Sequence, residues 1–149
     1  MSGAPRDLLT IAAAGLCLAG APAAAAQVRT PAPGSPERKL LLDQLRPKVE
    51  AAIGRPVIFK VERLRVAPGW AFAIVEPRHP DGSPITEAQT RVARENPDLE
   101  LDGLRTEALW RETGGRWRLH EHAIGATDVW YEPYCAEAPK GLIPVCPAP

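Results

Sequence analysis

The stretch PVIFKVERLRVAPGWAFAIVE, residues 56–76, contains the clearest signal for the fold. Its first half alternates apolar and polar residues, and the alternation slips by one residue near Glu62 and Arg63, which predicts a strand with a β-bulge. Its second half, WAFAIVE, is apolar on both faces, as in a central strand or one covered by a helix. The letters APG between the halves are suited to a turn. We therefore predict a β-hairpin.

The segment before this hairpin has the signals of an amphipathic helix. Ser35 is a good N-cap, and Pro36 follows it at the first helical position. Apolar residues then recur at helical spacing until Gly54, which is expected to end the helix. They are Leu41, Leu42, Leu45, Val49 and Ile53. Pro47 lies inside the pattern and removes one intrahelical hydrogen bond, so we predict a kink or two short helices.

The second half of the chain predicts another hairpin after a long connection. Residues 77–103 read mostly as loop, with a weak helix that Thr86 and Gln89 cap and Asn96 ends. The segments LRTEALWRE and RWRLHEHAIG then form two strands joined at TGG. An irregular tail follows, with one short helix after Thr127. The order predicts an α+β fold, with an N-terminal helix packed on a curved four-stranded antiparallel sheet.

The N-terminus predicts export. An apolar run at residues 8–26 follows Arg6 and ends in small residues, so we expect a secretory signal cleaved after Ala26. Its glycines, proline and many alanines make it a poor permanent membrane helix, and no stable membrane anchor is expected. The protein is therefore predicted to be periplasmic or secreted. Cys135 and Cys146 remain after cleavage, an even count that predicts a disulfide in an exported protein.

These signals divide the chain into four parts and exclude one class of partner. Residues 1–26 are the predicted signal peptide, 27–35 a flexible leader, 36–130 the α+β domain and 131–149 a disulfide-pinned C-terminal tail. The chain has 18 basic and 18 acidic residues, and the signal peptide removes one of each. Because there is neither a net positive charge nor a cluster of Lys and Arg, we expect no nucleic-acid partner.

Three pieces of the domain resemble a group of small exported bacterial proteins that have no assigned activity. The pieces are LRPKVEAAIGRPVIFKV, WAFAIVEPRHPDGSPI and GGRWRLHEHAIGATDVW, and with the helix they cover most of the domain up to about Trp130. The order of the elements is also similar to cystatin-like and NTF2-like folds, in which a helix is cradled by a curved antiparallel sheet. The resemblance implies a fold but neither an activity nor a cofactor.

The segment RLHEHAIGATD, residues 118–128, contains the first candidate site. On a regular strand His120 and His122 share a face, a geometry that can hold zinc or copper with a third ligand. Candidates for that ligand are His79, Asp81 and Asp128. The neighbouring Arg116 and Arg118 oppose cation binding. We therefore expect a solvated strand face and no metal site.

Glu121 is the second candidate, because regular alternation places it inward. A buried carboxylate needs a partner, and burial raises its pKa into a range where it can exchange protons. Glu121 with His122, supported by Asp128, is therefore a candidate acid/base set. The alternative, which the residues favour, is a structural ion pair or a hydrogen bond to the backbone. Adjacent strand residues point to opposite faces, so the set needs a bulge between Glu121 and His122.

Tryptophans form the third candidate site. Trp70, Trp110, Trp117 and Trp130 are many for a domain of this size, and in a concave sheet they could line a ligand pocket. The alternative is that they fill the core. The sequence contains no serine or cysteine nucleophile motif and no glycine-rich phosphate loop.

These features favour a non-enzymatic, exported binding or interaction module. Its partner would be a protein or a small apolar ligand held between helix and sheet, and no cofactor is expected. The alternative function is a small acid/base hydrolase or isomerase that uses Glu121, His122 and Asp128.

Overall fold

A computed structural model describes Met1 and residues 27–146 of the chain. A helix precedes a four-stranded antiparallel sheet, so the predicted α+β class and strand number are confirmed. The elements are α1 (Pro36–Ile53), β1 (Ile58–Ala67), β2 (Trp70–Arg78), α2 (Arg91–Glu95), β3 (Thr106–Thr113) and β4 (Arg116–Ile124). The sheet order is β1-β2-β3-β4. No helix in the described part is long and apolar enough to cross a membrane. The predicted signal peptide lies outside the described residues.

Helix α1 begins and ends where its sequence predicts. The Ser35 hydroxyl accepts a hydrogen bond from the Arg38 backbone N–H at 3.3 Å, which satisfies one of the free donors of the first turn. Gly54 ends the helix with φ 85° and donates its N–H to the Glu50 carbonyl at 2.7 Å. The helix continues through Pro47, so the prediction of two short helices is wrong. Pro47 is exposed, and the interrupted hydrogen bond therefore lies on the solvent side.

Both predicted hairpins are present. The β1–β2 register shifts between Val61 and Arg63, which confirms the predicted bulge. The β3–β4 turn consists of Gly114 and Gly115 with φ 58° and 71°. Two consecutive residues with positive φ fit a type I′ turn, whose twist matches that of the flanking strands.

The leader before α1 is attached to the sheet. Arg29 and Val66 exchange two backbone hydrogen bonds of 2.8 Å at the outer edge of β1. The next hydrogen-bonded pair in this register would be Pro31 opposite Leu64, and proline has no N–H to donate. The pairing therefore stops after one bridge. The sequence predicts a flexible leader up to Ser35, whereas within residues 27–35 the structure already pairs Arg29 with the sheet.

The sheet is covered on both faces. On one face, the helix side, α1 packs against sheet residues such as Ala73 and Trp110. The helix contributes Leu41, Leu45, Val49 and Ile53, all fully buried. On the other face, the tail side, the C-terminal tail packs against Phe72 and Leu109. The tail contributes Tyr131, Ala138, Leu142 and Ile143. Strand β2 is accordingly buried on both faces, as WAFAIVE predicts.

A disulfide holds the tail in this position. Cys135 and Cys146 are bonded, with their Cα atoms 5.3 Å apart, which confirms the predicted pair. Cys135 belongs to a short 3₁₀ turn, Glu132–Ala136, so the short helix predicted after Thr127 is also present. The tail is thus a third layer of the fold, which its irregular sequence does not indicate.

Candidate functional site

Strand β4 contains a bulge within the HEH segment. Leu109 of β3 lies opposite Glu121, whereas the next residue, Trp110, lies opposite Leu119. His120 is therefore the extra residue, and no residue of β3 lies opposite it. A single extra residue reverses the alternation of side chains beyond it.

The bulge places the two histidines on opposite faces of the sheet. The His120 ring packs edge-on against Trp70 and Tyr134 on the tail side, with centroid distances of 6.5 and 5.4 Å. His122 lies opposite Ala108 and therefore on the helix side. The prediction that His120 and His122 share a face is wrong. Within residues 27–146 no group of three His, Cys, Asp or Glu side chains is placed to hold a metal ion.

Glu121 lies on the tail side at the surface. The expectation that it points inward with Trp117 and Leu119 is wrong, because the bulge separates it from their alternation. Its carboxylate accepts a hydrogen bond from the Tyr134 hydroxyl. This hydrogen bond raises the pKa of Tyr134, since it stabilises the protonated phenol. The partner of Glu121 is thus a phenol and neither of the predicted groups.

The predicted acid/base set is not brought together. His122 is half-buried on the helix side, where desolvation and then the charge of Lys48 lower the pKa of its imidazole. Glu121 lies on the other face of the sheet, and Asp128 is exposed beyond the end of β4. Convergence in one cleft is the geometric requirement for an acid/base pair, and the positions of Glu121 and His122 do not meet it.

The four tryptophans do not line one pocket. Trp110 is fully buried on the helix side, and Trp117 is half-buried on the same side near the sheet edge. Trp70 and Trp130 lie on the tail side. The Arg111 guanidinium stacks on Trp70, with its Cζ 3.7 Å from the ring centroid, which is a cation–π contact. Core filling accounts for Trp70 and Trp110, whereas Trp117 remains half-exposed.

Within residues 27–146 the buried carboxylate is that of Glu107, which the sequence interpretation missed. The residue is only 7% exposed, and its Oε1 lies 3.4 Å from Arg105 Nε. Its Oε2 has no hydrogen-bond partner among the described residues. Burial raises the pKa of the Glu107 carboxyl, and the nearby Arg105 opposes this shift. Glu107 lies two residues before Leu109 on β3 and therefore on the same face, the tail side. This spacing indicates burial of Glu107 only when the tail is known to cover that face.

Replacing Glu107 with glutamine is expected to remove a pH dependence of stability. With its raised pKa, the folded chain binds more protons than the unfolded chain between the ordinary and the raised value. The free energy of unfolding therefore falls as the pH rises through this window. Urea titrations of the wild type should show this slope, and Glu107→Gln should flatten it. Glu112→Gln, an exposed change on the same strand, should keep it, and equal slopes for both variants would contradict the assignment.

A depression lies where α1 meets the outer edge of β4. Its volume is about 380 Å³, and it is lined by Gln44 and the four residues Arg116, Trp117, Arg118 and Leu119. The Gln44 Nε2 donates to the Trp117 carbonyl at 2.9 Å, and its Oε1 accepts from the Leu119 N–H at 2.8 Å. Arg116 and Arg118 are exposed and have no ion-pair or hydrogen-bond partner within the described residues. We call this depression the β4 rim.

A second depression, of about 350 Å³, lies at the opposite edge of the sheet. It is lined by Thr30, Arg38 and residues 61–65. Two of its three arginines already bind backbone carbonyls, since Arg38 donates to Pro31 and Arg65 to Gly141. The β4 rim therefore offers more uncommitted positive charge to a ligand.

No protein family, curated protein or solved structure matches this chain. The β4 rim, with its half-exposed Trp117 and its exposed Arg116 and Arg118, is the candidate site.

Proposed function

We propose that this protein is a small exported binding module that takes an acidic segment of a protein partner at the β4 rim. The observation that carries the proposal is the combination of a half-exposed Trp117 with two arginines, Arg116 and Arg118, that have no partner among residues 27–146.

The residue types of the β4 rim favour a protein partner. Tryptophan and arginine are the residues most enriched among those that dominate binding energy at protein interfaces. A guanidinium can bind a carboxylate through two parallel hydrogen bonds, and it is more weakly hydrated than an ammonium group. Elsewhere on the surface, arginines such as Arg78 and Arg111 have acidic partners, Glu76 and Glu137. The free arginines of the rim would gain such partners from an acidic segment.

The packing of the core favours the rim over the space between helix and sheet. Leu45 and Val49 of α1 and Trp110 of β3 are all 0% exposed. Interiors packed in this way hold few voids larger than a water molecule. The proposal therefore keeps the predicted binding role but moves the contact from the interior to the β4 rim, where α1 meets the outer edge of β4.

Export and fold family are part of the same proposal. The signal-like pattern of residues 8–26 and the Cys135–Cys146 disulfide support an oxidising compartment, periplasmic or extracellular. A helix on one face of an antiparallel meander supports a cystatin-like or NTF2-like architecture. The resemblance to small exported bacterial proteins agrees with both.

A charge-reversal experiment tests the proposed site. Glutamate-rich peptides should bind the purified protein in calorimetric titrations at low salt. The double variant Arg116→Glu with Arg118→Glu should weaken this binding by about tenfold or more, because attraction becomes repulsion. Arg91→Glu with Arg94→Glu changes the net charge equally on α2 and should keep the affinity near that of the wild type. Equal losses in both double variants would place the binding elsewhere.

The alternative acid/base enzyme is not favoured by any observation on the described residues, because Glu121 and His122 lie on opposite faces of the sheet. Turnover of an ester, phosphate or peptide that His122→Ala abolishes would replace the binding proposal with this one.

A further inference from the structure

The outer edge of β4 already carries a substitute for a neighbouring strand. Among the described residues β4 is the last strand of the sheet, so half of its backbone groups point away from β3. The carbonyl of Trp117 and the N–H of Leu119 flank Arg118, and a fifth strand would bond to these two groups. Gln44 of α1 binds both of them, at 2.9 and 2.8 Å.

A side-chain amide can take this role because it contains the donor and the acceptor of a peptide group. Gln44 lies more than 70 residues before β4 in the chain, and it is half-buried beside the edge. It thereby satisfies one carbonyl and one N–H of the outer edge of β4. Unpaired edges are where other chains pair, so a local cap of this kind protects the free protein from nonspecific association.

We propose that the acidic segment binds by strand addition to β4 and displaces the Gln44 amide from the edge. This inference rests on the proposed binding function and specifies how the partner is held. Backbone hydrogen bonds of the added strand take over the Trp117 carbonyl and the Leu119 N–H. The side chains of the rim then select the sequence of the segment.

The alternation of β4 specifies the pattern of that sequence. Arg116 and Arg118 share one side of the strand, while Trp117 and Leu119 share the helix side. Residues directly opposite each other on neighbouring strands lie on the same face. The partner segment therefore alternates acidic residues, which face the arginines, with apolar residues, which face Trp117 and Leu119. The bulge at His120 interrupts the edge, so the recognised segment is short.

Charge argues against a second copy of this chain as the occupant. If two β4 strands paired in this region, Arg116 and Arg118 of one copy would lie beside arginines of the other on the same face. Like charges directly opposite each other destabilise a strand pair. An acidic segment replaces this repulsion with ion pairs.

Backbone-methylated peptides test the strand addition. The probe is a peptide that alternates glutamate and valine, titrated calorimetrically into the purified wild-type protein. Two derivatives carry N-methyl groups on every valine or on every glutamate, which blocks the N–H groups on one edge of the extended peptide. One derivative should lose at least about tenfold in affinity, because two or more edge hydrogen bonds are lost, and the other should bind like the parent. Loss with methylated valines indicates an antiparallel strand, and loss with methylated glutamates a parallel one.

Variants of Gln44 test the displacement of its amide from the β4 edge independently of the methylated peptides. Gln44→Ala removes the internal competitor and should tighten binding of the unmethylated peptide by about tenfold. Gln44→Glu places a negative charge at the edge and should weaken it. Hydrogen exchange of the Leu119 amide should speed up in free Gln44→Ala and slow down when the peptide is added. Circular dichroism of both variants checks that the fold is retained.

The outcomes separate the two proposals. If both methylated peptides bind like the parent while reversal of Arg116 and Arg118 still abolishes binding, the rim is a site for acidic partners and strand addition is wrong. If Gln44→Ala leaves the affinity unchanged and Leu119 gains no protection, strand addition is also wrong. If the parent peptide does not bind at all, strand addition and the proposed function both fail.

Discussion

Replacing Trp110 with alanine is expected to lower the free energy of unfolding by about 3 to 5 kcal/mol. The side chain is 0% exposed and is the largest of the fully buried residues, packed between β3 and α1. Its removal takes away a large apolar surface and leaves a cavity that the surrounding leucines cannot fill without moving the helix. Urea denaturation followed by circular dichroism measures the change.

A phenylalanine at the same position is the matched control. The Trp110 Nε1 has no hydrogen-bond partner among the described residues, and a buried unpaired donor is destabilising. Trp110→Phe removes this donor while it keeps most of the aromatic volume, so it should cost less than half as much as Trp110→Ala. Equal losses for the two variants would show that the indole N–H is satisfied or that the site relaxes around either side chain.

Removing the disulfide is expected to lower the free energy of unfolding by about 3 kcal/mol. Cys135 and Cys146 are 11 residues apart, and the bond restricts the unfolded chain over this loop. The double change to alanine leaves no free thiol from the pair. In the folded protein the same segment brings Leu142 and Ile143, both at most 1% exposed, onto the tail side. Loss of the bond therefore also loosens the cover over Phe72 and Leu109.

A neighbouring exposed residue serves as the control for the disulfide variant. Val145 is 45% exposed, so Val145→Ala should change the free energy of unfolding by no more than about 0.5 kcal/mol. Thermal and urea denaturation of the three proteins should therefore separate the disulfide variant from the other two. An unchanged midpoint for the disulfide variant would mean that the tail stays docked through its apolar contacts alone.

The sequence predicted the elements whose signals are local. Helix α1 has its N-cap, its apolar spacing and its terminal glycine within about twenty residues, and each of these signals depends on neighbours in the chain. The bulge in β1 was visible because apolar residues stand on both sides of the slip. The disulfide followed from there being only two cysteines outside the predicted signal peptide.

The candidate site was predicted less well because its determinants are not local. HEH has polar residues on both sides of its slip, so nothing in its letters shows that His120 is an extra residue. Glu121 was expected to be buried and Glu107 was overlooked. The first error arises from the bulge at His120, and the second from the tail, which lacks periodicity and yet covers Phe72 and Leu109 on the face of the sheet that Glu107 shares.

The sequence by itself determined the helix, the two hairpins and the cysteine pair, because propensity, capping and turn chemistry act between residues close in the chain. Only the tertiary structure decided which face each residue of β4 uses and what its outer edge contacts. The two hydrogen bonds from Gln44 join groups 73 and 75 residues apart. Such contacts depend on how α1 packs across the sheet, and no local pattern of either segment specifies that packing.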